Sequence, residues 1–200
     1  MAGKRKTGAR QKIITEQALA MLAKHGLAAV NIAGLAQRVG LVPSGIYRHF
    51  KSKAEIVDAV LNLILERLTG FADAAAEAAL DPIEQLRSLL QHHVAMLNDN
   101  PGIPSFVFAE AIFSTQSRRR ANVRSIVESY LARVARIIER GQELGSIRSD
   151  VEPTAIAVMF LGLIQPLIIL RQITEGEFDA KRQVETSWPL FVEMLKVRGP

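Results

Sequence analysis

Tyr47, Arg48, His49 and Lys53 make residues 31–53, NIAGLAQRVGLVPSGIYRHFKSK, the most chemically committed stretch of this 200-residue sequence. Long polar and cationic side chains crowded in this way suit phosphate oxygens and base edges, which take hydrogen bonds from such groups. Pro43, Ser44 and Gly45, just before them, are small and permit a close backbone approach to a surface. Lys53 falls in the first turn of the helix that follows, where free backbone N–H groups favour a phosphate. Asn31 opens the stretch as a helix cap.

Other groupings offer less. The six residues Gly40 to Gly45 have the glycine spacing of a phosphate-binding P-loop, but Ile46-Tyr47 replaces the Lys-Ser/Thr that would hold phosphate and magnesium. No G-x-G-x-x-G, H-E-x-x-H or G-x-S-x-G occurs, so nothing proposes catalysis or a cofactor. His92 and His93 are adjacent, and on a helix their side chains diverge by about 100°, which does not suit one metal. Without cysteine, disulfides, thiolate zinc sites and thiol nucleophiles are excluded. Arg118, Arg119 and Arg120, with Arg124, lie near a helix start, where the macrodipole disfavours cations. They read as a solvated face or as ion pairs to neighbouring helices.

Charge divides the chain. Residues 1–55 hold ten Lys/Arg against Glu16 and Glu55, a net of +8, while the remainder carries −3 and the whole +5. A basic quarter on a mildly acidic body points to a polyanion-binding module attached to something else. Lys4, Arg5 and Lys6 read as a disordered basic arm. A hydrophobic share of 48% is ordinary for a chain that buries a core. No apolar run follows the basic N-terminus, so no secretory signal is expected and the compartment is the cytoplasm.

The elements that must position these groups are all helical. A first helix is expected from Thr7 to Lys24, a second from a cap at Asn31 through Arg38, and a third opening at Pro43 after a turn at Gly40. Ser52 starts a fourth helix, with Glu55 completing a capping box. Two short helices joined by a glycine-containing turn make a helix-turn-helix, whose second helix enters the major groove. Asp81-Pro82 opens a segment striped by Ile83, Leu86, Leu90, His93 and Leu97, and Asn98 to Gly102 is a break. Helices follow over Ser105–Phe113 and Ser117–Glu139, then from Pro153 to Ile173 and from Asp179 to Val197. Residues 153–170 carry no charge, yet Gln165-Pro166 in the run and the absence of an aromatic belt argue against a membrane span.

The pattern formed by Ile32, Ala33, Leu35, Ala36, Gly40, Ile46, Tyr47, His49, Phe50 and Lys53 resembles the DNA-binding signature of the tetracycline-repressor (TetR) family. The resemblance implies an all-α protein. Residues 1–51 would form a three-helix helix-turn-helix DNA-binding domain, joined by a linker helix to a ligand-binding and dimerisation domain within 52–200. It also implies that Pro43, Ser44, Gly45, Tyr47 and Arg48 lie in the major groove of double-stranded DNA, while His49 and Lys53 hold phosphates. Asn31 replaces the family's usual Thr, and Val42 its usual Ser or Thr cap. Such a chain would be a regulator, most simply a repressor released from a roughly palindromic operator by a small apolar or amphipathic effector. Candidate lining residues are His93, Met96, Phe106, Phe108, Phe113, Tyr130, Met159 and Gln165, from segments able to converge in a helical bundle. The apolar excess of Ala155–Leu170, with Val184, Trp188, Phe191 and Leu195, predicts a homodimer through the last two helices. The alternative is an all-helical small-molecule binding protein without specific DNA recognition.

Overall fold

Asn31 fixes where the second helix begins: its Oδ1 accepts the Gly34 N–H at 2.8 Å, which satisfies one of the orphan donors of a helix start. Residues 2–78 and 81–197 are described by a computed structural model. The side chains of residues 2–7, 97 and 112 lie outside the described residues. The side chains of Lys4, Arg5 and Lys6, and of Leu97 in its stripe, are therefore not described. Among the described residues all regular structure is helical. The chain divides into two compact units, residues 1–67 with 100–121, and 68–99 with 122–200. The 51/52 boundary that the family resemblance implies does not coincide with this division by packing.

The first unit contains α1 (Ala2–His25), a single 3-10 turn (Leu27–Ala29), α2 (Ile32–Arg38) and α3 (Pro43–Tyr47). It also holds the first part of α4 (Lys53–Glu77), all of α6 (Gly102–Phe113) and the start of α7 (Ser117–Glu143). Helix α1 extends to Ala2, so Lys4–Lys6 belong to its first turns rather than to an unstructured arm. Gly40, at φ 65°, makes the turn between α2 and α3 in a backbone region that favours glycine. Ile14, Ala18, Leu22, Leu35, Ile46 and Ile56 close the core of this unit. Gly102 packs directly on the end of α1, where a Cβ would collide with the Leu22 carbonyl oxygen.

The second unit contains the end of α4, α5 (Pro82–Asp99), the rest of α7, α8 (Pro153–Gly162), α9 (Gln165–Ile173) and α10 (Ala180–Leu195). Asp81 caps α5 by accepting the N–H groups of Ile83 and Glu84 at 2.9 and 3.2 Å. Leu86, Leu89, Leu90, Val134, Ile138, Phe160, Trp188 and Phe191 form the core. The single helix expected over Pro153–Ile173 is two helices. Pro166 has no N–H to continue the ladder, and the chain restarts at Gln165. By length and composition the run 153–173 is apolar enough to cross a membrane, but it is broken in this way. Pro189, in contrast, sits inside an unbroken α10. Gly141, expected in a connector, lies buried within α7 against Ile147.

Candidate nucleic-acid interface

Along α3 the large apolar side chains turn inward and most of the polar ones outward, with Val42 exposed and His49 half-buried as the exceptions. Ile46 and Phe50 are buried, whereas Pro43, Ser44, Arg48 and Lys53 are exposed and Tyr47 is 51% exposed. Ile46 and Phe50 act as pins that present the polar residues outward. Val42 precedes α3 without a side-chain cap bond, and Gly45 lies half-buried with Leu41 alongside. Bonds from α1 hold the end of α2 and the residues that follow α3. Gln11 Nε2 donates to the His49 carbonyl at 2.8 Å, and the Arg10 guanidinium donates to the Val39 carbonyl at 3.1 Å. Arg10 and Gln11 were not singled out from the sequence, because a polar residue on an amphipathic helix gives no sign that it will meet a carbonyl 29 or 38 residues away.

Besides the half-buried Gly45, His49 and Asn31 differ in detail from this exposed set. His49 is half-buried, and its Nδ1 is enclosed without a partner. Asn31 is exposed but engaged at both ends, since its Nδ2 also donates to the Ala29 carbonyl at 3.0 Å. The capping box of α4 forms with a shift. Ser52 Oγ accepts the Glu55 N–H at 3.2 Å, but the Glu55 carboxylate takes the N–H of Lys51 rather than that of Ser52. Lys53 stands at the helix start created by this cap.

Electrostatics strengthen the division. The first unit carries fourteen Lys/Arg against five Asp/Glu, a net of +9, which leaves −4 on the second. Part of that excess comes from the start of α7, where Arg118 and Arg120 are exposed. Arg119 is different, with its side chain 12% exposed and ion-paired to Asp58 and Glu110. The cluster thus contains both outcomes expected for it.

The ligand-lining candidates belong to both units. Phe106 (buried), Phe108 (half-buried) and Phe113 (74% exposed) belong to the first unit. In the second, Met96 is half-buried, while Met159 and Gln165 are exposed. Gln165 lines an open depression with Gly162, Pro166, Ile169 and Leu170. The ring contact that joins two candidates is between His93 and Tyr130, edge to face at 5.4 Å. His93 Nδ1 bonds the Leu89 carbonyl at 2.8 Å, and burial lowers its pKa. The Tyr130 hydroxyl is buried with no partner, and burial raises its pKa. A groove of about 390 Å³ between α5 and α10, lined by Leu90, Val94, Val184 and Trp188, has no signature in the sequence pattern. Among the described residues no group of three or more His, Asp or Glu could hold a metal ion.

A short helix pinned by its apolar side and offering Tyr, Arg and Lys outward, in a strongly basic unit, defines a helix-turn-helix DNA-binding protein. Residues 14–60 match the model for bacterial regulatory proteins of the tetR family, and residues 82–181 match the tetracyclin repressor-like C-terminal domain. The chain belongs to the TetR family of transcriptional regulators. It is 24% identical over 196 residues to the nucleoid occlusion factor SlmA of Vibrio vulnificus, covering 98% of this chain and all of the relative. A TetR-family regulator from Agrobacterium tumefaciens superposes with a TM-score of 0.78 at 18% identity, covering 96% of this chain and all of that one. The regulator FadR from Bacillus subtilis, solved with stearoyl-CoA, superposes with a TM-score of 0.75 at 17% identity, covering 92% and 98%.

Proposed function

We propose that this regulator is a homodimeric repressor that reads a roughly palindromic operator through α3 and is released by an apolar or amphipathic small molecule. The observation that carries the DNA reading is the outward presentation of Tyr47, Arg48 and Lys53 over the buried Ile46 and Phe50. Pro43, Ser44 and Gly45 leave the backbone of α3 free to approach base edges, with Tyr47 and Arg48 in the groove. Lys53 neutralises a phosphate at the N-terminus of α4, and His49 lies beside it. Asn31 serves chiefly as the cap that sets α2 across the backbone. Such a protein works in the cytoplasm, on the chromosome.

Pairing is supported by the apolar surface left by α8 to α10. Val158, Met159, Ile169, Ile173 and Leu190 are all exposed on the single chain. A twofold dimer through the last helices covers this surface and presents two α3 helices to half-sites about one DNA turn apart.

An effector site in the second unit is supported by the orphaned Tyr130 hydroxyl beside His93. A buried hydroxyl without a partner costs about 1–3 kcal/mol, which a ligand group can recover. The Bacillus subtilis relative holds an acyl-CoA, in keeping with an amphipathic effector. Helix α4 has residues in both units, so a ligand that shifts its later turns changes where Lys53 stands. A tenfold loss of operator affinity requires about 1.4 kcal/mol of differential ligand binding. The test is a gel shift against genomic fragments, repeated with each hit of a fluorescence competition screen using hydrophobic compounds. Specific binding weakened by a tight hit is the expected result. Tight hits that leave operator affinity unchanged contradict the coupling.

A further inference from the structure

Arg119, the third residue of α7, uses its guanidinium on two other helices at once. Nε donates to Asp58 Oδ1 at 2.5 Å, one terminal nitrogen donates to the Ala54 carbonyl at 3.1 Å, and the other lies 3.5 Å from Glu110 Oε2. Ala54 and Asp58 are four residues apart, so they share one face of α4, while Glu110 belongs to α6. The side chains of Arg119 and Glu110 are 12% and 11% exposed.

Stability alone does not account for this placement. A cation in the first turn of a helix opposes the macrodipole. Taking Arg119 and Glu110 out of water offsets most of the Coulomb attraction between them, and the pair with Asp58, whose side chain is 40% exposed, is screened by solvent. What the planar fork does provide is geometry. Two bonds to one face of α4 fix the rotation of its first turns, and the nearer bond is to the residue directly after Lys53. Without Arg119 the first turns of α4 lose both of these bonds, and the buried Glu110 carboxylate loses the cation beside it.

We propose that Arg119 is the positioning residue for Lys53: it holds the first turns of α4 in the one orientation that brings the Lys53 ammonium onto a DNA phosphate. This rests on the reading that Lys53 contacts phosphate. Lysine at position 119 would neutralise the carboxylates but could not bridge Asp58, Ala54 and Glu110 together, because it lacks the fork.

The test measures operator affinity of the full chain by fluorescence anisotropy across a salt series, with thermal unfolding of each variant alongside. Lys53→Ala should weaken binding about tenfold and reduce the salt slope by about 0.9, the value for one phosphate contact. Arg119→Ala should do the same although it touches no DNA, and the double variant should bind no more weakly than Lys53→Ala alone. Arg120→Ala removes an equal charge from the same turn and should stay within about twofold of the unaltered chain. Arg119→Lys should fall between. If Arg119→Ala is too unstable to assay, Asp58→Asn carries the same test of non-additivity with Lys53→Ala. Unchanged salt slope in Arg119→Ala, or losses that multiply in the double variant, overturns the proposal while leaving the Lys53 reading intact. A silent Lys53→Ala overturns the phosphate reading itself, and the role of Arg119 with it.

Discussion

Tyr130 and His93 form a buried polar pair in which the hydroxyl has no partner, although edge-to-face packing holds the rings. Tyr130→Phe keeps the ring and removes the orphaned group, so it should stabilise the protein by about 1 kcal/mol in urea unfolding. The same change should weaken any effector that bonds this hydroxyl. The pKa of His93 is shifted in the opposite direction to that of a salt-bridged histidine. Desolvation by burial, the largest cause, holds its folded pKa below 6.5, against a raising contribution from the Leu89 carbonyl. The unfolded chain therefore binds this proton first, so stability is complete above about pH 6.5 and falls as the pH drops below it towards the folded pKa. Urea unfolding at a series of pH values should show that acid loss, and His93→Gln should remove the part due to this residue. The sequence placed His93 on the apolar stripe of its helix, and its burial follows from that. Its contact with Tyr130 on α7 could not be read, because periodicity assigns a face but not the neighbour across it.

Caps and breakers carried most of what could be read about the elements. Asn31, Pro43, Ser52, Asp81 and Pro153 each mark a helix start through a local hydrogen bond or a fixed φ, and such local causes are visible in sequence. Long-range causes were not. Gly102 reads as the end of a loop, yet it opens α6 and lets that helix touch the last turn of α1. In Gly102→Ala the new Cβ would meet the backbone of Leu22, Ala23 and Gly26, which cannot move aside as a flexible side chain would. The expected loss is about 2–3 kcal/mol in denaturant unfolding, at the upper end for overpacking. Gly45→Ala is the informative contrast. Its Cβ meets the Leu41 side chain at 3.3 Å, and alanine favours helix by about 1 kcal/mol, so stability should change little. The break at Leu163–Ile164 was likewise only half legible: Pro166 announced an irregularity, but a full stop and restart depends on how α8 and α9 pack.

For the whole molecule, most of the exposed apolar side chains belong to the second unit and the excess positive charge to the first. The exposed Val158, Met159, Ile173 and Leu190 call for a partner, and the +9 unit calls for a polyanion. The excess of apolar residues in 155–170 was legible as composition, whereas which of them point outward required the packed helices. Val158→Glu combined with Met159→Glu should give a monomer by light scattering at micromolar concentration. Operator affinity should then fall more than a hundredfold, because each half-site is left to bind alone. A dimer that persists in this variant places the interface elsewhere. The reading head itself is tested most directly by operator binding of Tyr47→Ala combined with Lys53→Ala, measured by anisotropy against specific and scrambled duplexes at fixed salt. Both side chains are exposed, so the fold should be unchanged by circular dichroism. Specific binding should collapse to the affinity for the scrambled duplex. Specific binding that survives the double substitution would contradict the assignment of DNA reading to α3 and the start of α4.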